Sequence, residues 1–524
     1  EDKAVKTEKM LTKTNPIINS DYPDPDIIRV GNVYYMASTT MHFMPGCVIL
    51  RSYDLVNWEI LSHAYETLEN TPRYYMEDNQ NIYGEGMWAP TFRYHKGTYY
   101  IVFTANDTHT SHLLTANDPA GPWTHRVING WYYDSGLFFD DDDQVYIVHG
   151  QKTLHLTQLC PDLSGPLENG LDRIVAKDKE DVSLGYEGSH MYKKDGYYYI
   201  FTCHAEKGKK KTEDCFVSDS LTGEFRGKCI IDDDMGYHGL GVAQGGMVDT
   251  PDGEWYAFMF QDRGALGRSP MLMPLHFKNN YPVIGDQGKV PAKISVPDTG
   301  YVYEEINGND DFTYVPDADG KVKLKKFWEF NHQSIEKLWS VTEKRGCLRM
   351  HSAYISPTLF QARNILTQRT VGPACAAEVT LGFDCMKIGD IAGICTFIGN
   401  YGLIGVYKKE DGFYLVMMGR PAKDETIFGQ FEYETPGIEY ESIPIDSKQI
   451  QLRVEADFTD KKDVAGFYYK KNLNWEKLGI DQAMYFKMDL FTGCRFGLFY
   501  YSTRQIGGYV DFSNFKFFKT DIMD

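Results

Sequence analysis

A turn followed by a short aromatic and β-branched strand recurs five times in the first half of the chain. The copies are Gly31-Asn32-Val33-Tyr34-Tyr35-Met36-Ala37, Gly97-Thr98-Tyr99-Tyr100-Ile101-Val102-Phe103, Gln144-Val145-Tyr146-Ile147-Val148, Gly196-Tyr197-Tyr198-Tyr199-Ile200-Phe201 and Gly253-Glu254-Trp255-Tyr256-Ala257-Phe258. Tyr35, Tyr100, Tyr146, Tyr199 and Tyr256 serve as anchors, one per copy. They recur with a period of about 50 residues, and such a period with several strands per unit is the mark of a β-propeller, so five copies predict five blades. The competing reading is a β-sandwich in which Gly-aromatic hairpins recur by chance.

The residues at a near-constant step upstream of each anchor favour the propeller: Asp24, then Trp88 and Ala89, then Asp134, Glu187 and Gln244. The first strand of a propeller blade lines the central axis and the next packs outside it. These five upstream positions therefore converge on one cavity. Three acids facing a small pocket repel one another, an arrangement that acid/base chemistry can use.

A Pro/Asp/Gly stretch, Val315-Pro316-Asp317-Ala318-Asp319-Gly320-Lys321, ends this half and reads as a domain edge. Beyond it, segments such as Ala376-Ala377-Glu378-Val379-Thr380-Leu381 and Gln451-Leu452-Arg453-Val454-Glu455-Ala456 alternate as strands do. The expectation is an all-β chain, with a catalytic five-bladed propeller over 14–315 and a jelly-roll, concanavalin-like β-sandwich over 322–524. The 37 Tyr, 30 Phe, 8 Trp and 48 Gly fit many strands separated by tight turns.

Cleavage of a glycosidic bond needs one carboxylic acid to protonate the leaving oxygen and one carboxylate to activate water or attack carbon. Asp24 lies between two prolines in Asp21-Tyr22-Pro23-Asp24-Pro25-Asp26, which stiffen its backbone as a general base requires; a plain Pro-Asp turn is the alternative. Glu187, in Tyr186-Glu187-Gly188-Ser189-His190, has the apolar surroundings that let a carboxyl keep its proton, against the alternative of a loop Glu. Asp134 would orient and tune it, and Arg268 would offset the local charge and grip a carboxylate with two hydrogen bonds. Trp88, His42, Phe43 and Gln244 are the remaining candidates for sugar contact, although core packing accounts equally for the aromatic ones. The Asp140 to Asp143 run reads as a solvated hairpin.

With these motifs in hand, the chain closely resembles glycoside hydrolase family 43, specifically the β-xylosidase and α-L-arabinofuranosidase group with a C-terminal sandwich. Asp21-Tyr22-Pro23-Asp24-Pro25-Asp26 is similar to that family's general-base motif, Asp134-Ser135-Gly136-Leu137-Phe138 to its pKa-modulator motif, and Glu187-Gly188-Ser189-His190 to its general-acid motif. Gly86-Met87-Trp88-Ala89-Pro90, Gln244-Gly245-Gly246 and Ala362-Arg363-Asn364 also look like its two-domain members. The resemblance implies single-displacement hydrolysis with inversion, by which an exo-acting enzyme removes one terminal pentose. It makes Asp24 the base, Glu187 the acid and Asp134 the modulator. The expected substrate is terminal α-L-arabinofuranose on plant cell-wall polysaccharide or oligosaccharide, with β-D-xylosidase activity or a non-catalytic sugar-binding propeller as alternatives. It further implies a sandwich loop at the pocket mouth, for which Tyr500-Tyr501 is the candidate. Ala243 stands where many relatives carry an axial His, so no cofactor is expected and a structural calcium on the axis is in question. Arg263 likewise replaces a His of many relatives at the rim.

The charge balance, 54 Lys+Arg against 73 Asp+Glu for a net −19, argues against nucleic acid and anionic membranes as partners. No apolar run is long enough for a transmembrane helix. The opening Glu1-Asp2-Lys3 lacks Met and the stretch from there to Thr14 is polar and irregular, as expected of a mature, secreted or periplasmic form. Ten scattered cysteines without a CxxC pair are expected to be buried free thiols in the main.

Overall fold

The computed structural model describes residues 8–421 and 432–519, so Glu1 to Thr7, on which the expectation of a removed leader partly rests, lie outside the described residues. Five four-stranded antiparallel sheets follow in chain order, each made of consecutive strands except the first, which passes over the two-residue strand Phe43–Met44. Each anchor tyrosine lies on the second strand of its blade: Val33–Ser38, Thr98–Ala105, Val145–His149, Tyr197–Glu206 and Trp255–Asp262. The repeat therefore marks five blades, with the innermost strand of each running immediately upstream.

No strand of one blade completes another, and other contacts close the ring. Asn15 caps blade five by donating to the Leu272 carbonyl at 2.8 Å and accepting from the Leu272 amide at 3.1 Å. Arg29 of blade one grips Asp249 of blade five through two bonds of 2.9 Å. Between these blades Ile27, Tyr34, Leu50, Phe258 and Leu272 form one apolar cluster, the chief driving force for closure. Met10–Thr14, within the stretch read as irregular and ahead of the expected start at 14, is a strand paired with Lys293–Pro297. Local polarity hid it, because its partner lies at the opposite end of the propeller's sequence.

The second half forms two eight-stranded antiparallel sheets around a core that includes Val379, Leu381, Ile394, Val454, Leu498 and Phe512. One sheet ends on a strand from the first half, Phe43–Met44, which pairs with Glu329–Asn331. Beneath this joint Glu329, fully buried, meets Arg369 at 3.0 Å, Arg495 at 2.7 Å and His63 at 2.8 Å. Burial alone would raise its pKa, but the two guanidinium groups and His63 hold it well below the ordinary carboxylate range.

All ten cysteines are free thiols; seven are buried, Cys160 and Cys385 half-buried and Cys229 exposed. Within the acidic hairpin, Asp141 to Asp143 are solvated, but Asp140 is buried and accepts a hydrogen bond from Tyr198 at 2.7 Å. Among the described residues no helix is long and apolar enough to cross a membrane.

Candidate active site

The inner strands converge through one repeated backbone device. Asp24, Ala89, Asp134, Gly188 and Gln244 take left-handed φ values of 52°, 45°, 46°, 66° and 63°, one per blade. In blades two, four and five the register of the inner strand shifts at this point, as in a β-bulge. Holding a non-glycine residue left-handed costs of order 1–3 kcal/mol, strain of a kind concentrated at functional sites. Here it turns four of the predicted residues toward the axis. Gly188 cannot be larger, since a Cβ would lie 2.4 Å from Gln244 Cγ. At Gly245 a Cβ would lie 1.6 Å from the Phe258 carbonyl oxygen.

These positions floor a cavity of about 710 Å³ lined by Asp24, Trp88, Asp134, Glu187, Gln244 and Arg268. Asp24 receives three donors: the Thr39 hydroxyl at 2.6 Å, the Gln244 side-chain amide at 2.9 Å and Arg268 Nη1 at 3.3 Å. Arg268 thus makes one contact with the carboxylate instead of the expected pair, and its Nε and Nη2 are buried with no hydrogen-bond partner, free for a ligand's oxygens.

Glu187 accepts from Tyr133 Oη at 3.3 Å and Gln151 Nε2 at 3.2 Å. Burial, reinforced by the Asp24 charge and opposed by Lys211, pushes its pKa up to about 7. It therefore holds a proton through most of the mildly acidic range. Asp134 accepts the Gly188 amide at 3.1 Å, while its own carbonyl accepts the Ser189 amide at 3.1 Å, so it fixes the backbone on which Glu187 rides. Burial and then the Glu187 and Asp24 charges raise the Asp134 pKa well above the usual range.

Below this layer Asp26 accepts from the Phe92 amide at 2.7 Å and Arg93 at 2.9 Å, and meets His190 at 3.2 Å. Arg93 thus balances the Asp26 charge, and Ala243 brings no ligating side chain. Among the described residues no three His, Cys, Asp or Glu side chains are grouped to hold a metal ion.

Two of the expected contact residues lie elsewhere. His42 is fully buried between Phe43, Tyr83 and His332, at ring separations of 4.5, 5.0 and 5.4 Å, and neither ring nitrogen has a hydrogen bond. Phe43 is also fully buried, under Arg495 at 3.5 Å, as part of the strand that completes the sandwich sheet. The pocket wall there is formed by Met41, the residue just before His42. Tyr500 and Tyr501 are buried in the sandwich, with Tyr500 bonded to Asp390 at 2.5 Å. The sandwich does reach the mouth, but through Lys461 to Asp463 and Ala483 to Phe491. Phe491, at φ 57°, covers Arg268 at 4.4 Å and lies 5.5 Å from the Trp88 ring. Arg263 stands beside the cavity, stacked on Tyr237 at 4.4 Å.

Asp21 ties this loop to the floor. Its carboxylate accepts the Arg268 amide at 2.9 Å and the Gly493 amide at 2.8 Å. Lys211, at the end of the basic run 207–211, is another cavity residue the sequence did not single out; burial works against its charge, but Asp262, 3.7 Å away, and the neighbouring Cys203 and Glu187 outweigh it and raise its pKa.

Comparison with known proteins agrees with the fold. The profile of glycosyl hydrolases family 43 matches residues 13–282, and that of the beta xylosidase C-terminal Concanavalin A-like domain matches residues 319–518. A β-xylosidase of Formosa agariphila is 26% identical over 97% of this chain and 90% of its own. A non-reducing end α-L-arabinofuranosidase of Bacteroides ovatus is 27% identical over 79% of each chain. The solved structure of a bifunctional GH43-CE protein of Bacteroides eggerthii is 37% identical and superposes with a TM-score of 0.89 over 97% of this chain, which spans 64% of that longer protein.

Proposed function

The chain belongs to glycosyl hydrolases family 43, and from that premise we propose that it removes terminal α-L-arabinofuranose from plant cell-wall polysaccharides or their oligosaccharides, acting from the non-reducing end with inversion. The observation that carries the reading is the setting of its two carboxyls. Asp24 is gripped by three donors, whereas Glu187 keeps its proton to about pH 7. A carboxyl that stays protonated near neutral pH suits the general acid, which leaves the base to Asp24.

In this reading Asp24 takes a proton from the attacking water and Glu187 protonates the departing glycosidic oxygen. Asp134 holds Glu187 in place through the Gly188 and Ser189 amides. The unpaired Arg268 donors, Gln244 and the Trp88 ring hold the terminal sugar. No step calls for a metal. The walls that both units give the cavity favour an exo mode, since such a cavity admits a chain end more readily than a chain middle. A secreted or periplasmic location follows from a polymeric substrate, and cell fractionation tests it.

A second reading, β-D-xylosidase activity from the same acids, is favoured by the name of the Formosa agariphila relative. Release of 4-nitrophenol from the α-L-arabinofuranoside and the β-D-xyloside, compared side by side with a Glu187→Ala control, separates the two. Faster arabinoside turnover by the wild type supports the first reading. A xyloside preference supports the second, and a control that cleaves an unactivated oligosaccharide as fast as the wild type overturns both.

A further inference from the structure

The cavity draws its walls from both units. The sandwich contributes Phe491 and Tyr485, and the propeller contributes Tyr133 and Gln151. The side formed by Tyr133 and Gln151 is the one at the acid, because both residues donate to Glu187 Oε2. A general acid lies beside the bond it protonates, so the part of the substrate that departs must leave along this side.

Here the aromatic surface does not stop at the cavity. The Trp131 ring lies 6.3 Å from the Tyr133 ring, with 25° between their planes. His109, exposed at the tip of a blade-two hairpin with φ 54°, stacks on Trp131 at 3.7 Å and 16°. Three nearly parallel rings thus run outward from the hydroxyl that touches Glu187. Neither Trp131 nor His109 helps to build the catalytic floor. Trp131 is half-buried, with one face of its ring covered by the exposed His109.

We propose that Trp131 and His109 form a leaving-group subsite, on which a neutral pyranose unit of the glycan behind the scissile bond packs its C–H face. The inference rests on Glu187 being the acid and adds to that reading a substrate longer than a disaccharide. Indole and imidazole suit such a ligand, since each combines an apolar face with a polar edge that can meet a hydroxyl. Their mutual stacking already restrains both side chains, so little rotamer freedom remains to be lost on binding.

The test compares a methyl glycoside of the terminal pentose, whose leaving group is too small to reach Trp131, with a tetrasaccharide ending in the same pentose. Trp131→Ala is expected to lower kcat/KM about tenfold on the tetrasaccharide, the scale of one lost aromatic contact, and less than about twofold on the methyl glycoside. Trp131→Phe should recover most of the loss, and His109→Ala should lower the tetrasaccharide value alone. Equal losses on both substrates, or an unaffected tetrasaccharide, would overturn the subsite. Calorimetric titration of the tetrasaccharide into Glu187→Gln, with and without Trp131→Ala, keeps the question separate from turnover. Binding weakened about tenfold by the second change supports the subsite even if the catalytic reading fails, and unchanged binding overturns it.

Discussion

Replacing Glu187 by Gln should slow turnover of an unactivated glycoside sharply and also stabilise the folded protein at neutral pH. The carboxyl is held from its ordinary 4.5 up to about 7. A displacement of about 2.5 units corresponds to about 3 kcal/mol, at 1.36 kcal/mol per unit. The sign follows from proton linkage. Between pH 4.5 and 7 the unfolded chain has released this proton while the folded chain retains it, so raising the pH draws the equilibrium toward unfolding. Below pH 4.5 both states are protonated and the effect vanishes. Gln keeps the shape of the protonated acid, and removing the charge also relieves Asp134, whose pKa Glu187 helps to raise. Differential scanning calorimetry of both proteins at pH 4.5 and pH 8 measures the effect. At pH 4.5 the midpoints should coincide, and at pH 8 that of Glu187→Gln should be higher by a few degrees. A difference independent of pH, or a variant less stable at pH 8, would refute the claim that Glu187 is held protonated against its ordinary preference.

Three further outcomes follow from named contacts. Lys211→Met removes the charge that most opposes the rise at Glu187, so the alkaline limb of kcat/KM, expected near pH 7, should move to higher pH; a limb that stays or moves down contradicts the assignment. Phe491→Ala uncovers Arg268 and Trp88 and should raise KM about tenfold with kcat little changed, as steady-state kinetics on the preferred aryl glycoside will show. Asp21→Asn leaves one of the Arg268 and Gly493 amides without an acceptor, at a cost of about 1–3 kcal/mol, and should raise KM while lowering the thermal midpoint.

The propeller and its axial residues were legible because both obey local rules. Tyr35 and its four counterparts recur on second strands, and a near-constant step upstream reaches Asp24, Asp134, Glu187 and Gln244 whatever the loops between blades contain. The left-handed backbone that turns them inward left no clear trace, since Asp, Gln, Ala and Gly share no side-chain property there. His42 and Phe43 were misplaced because their nearness to the first repeat suggested the pocket. Their environment is instead set by pairing with Glu329–Asn331, which belongs to the second half of the chain. Tyr500 and Tyr501 were misplaced for a related reason. Their strand, Arg495–Ser502, is buried on both faces and so carries no alternation from which to tell wall from core. Phe491 ends the apolar stretch 483–491 and Lys211 the basic run 207–211; neither composition points to a pocket, and only the assembled structure brings them to the acids.

The central claim is that Glu187 protonates the leaving oxygen, and the most direct test is how the effect of Glu187→Gln depends on the leaving group. Loss of a general acid should cost about 10²- to 10⁴-fold in kcat/KM on an unactivated oligosaccharide. The loss should shrink to a small factor on the matched 2,4-dinitrophenyl glycoside, whose leaving group departs without a proton. An equal loss on both substrates would contradict the claim, as would full activity of Glu187→Gln on the oligosaccharide.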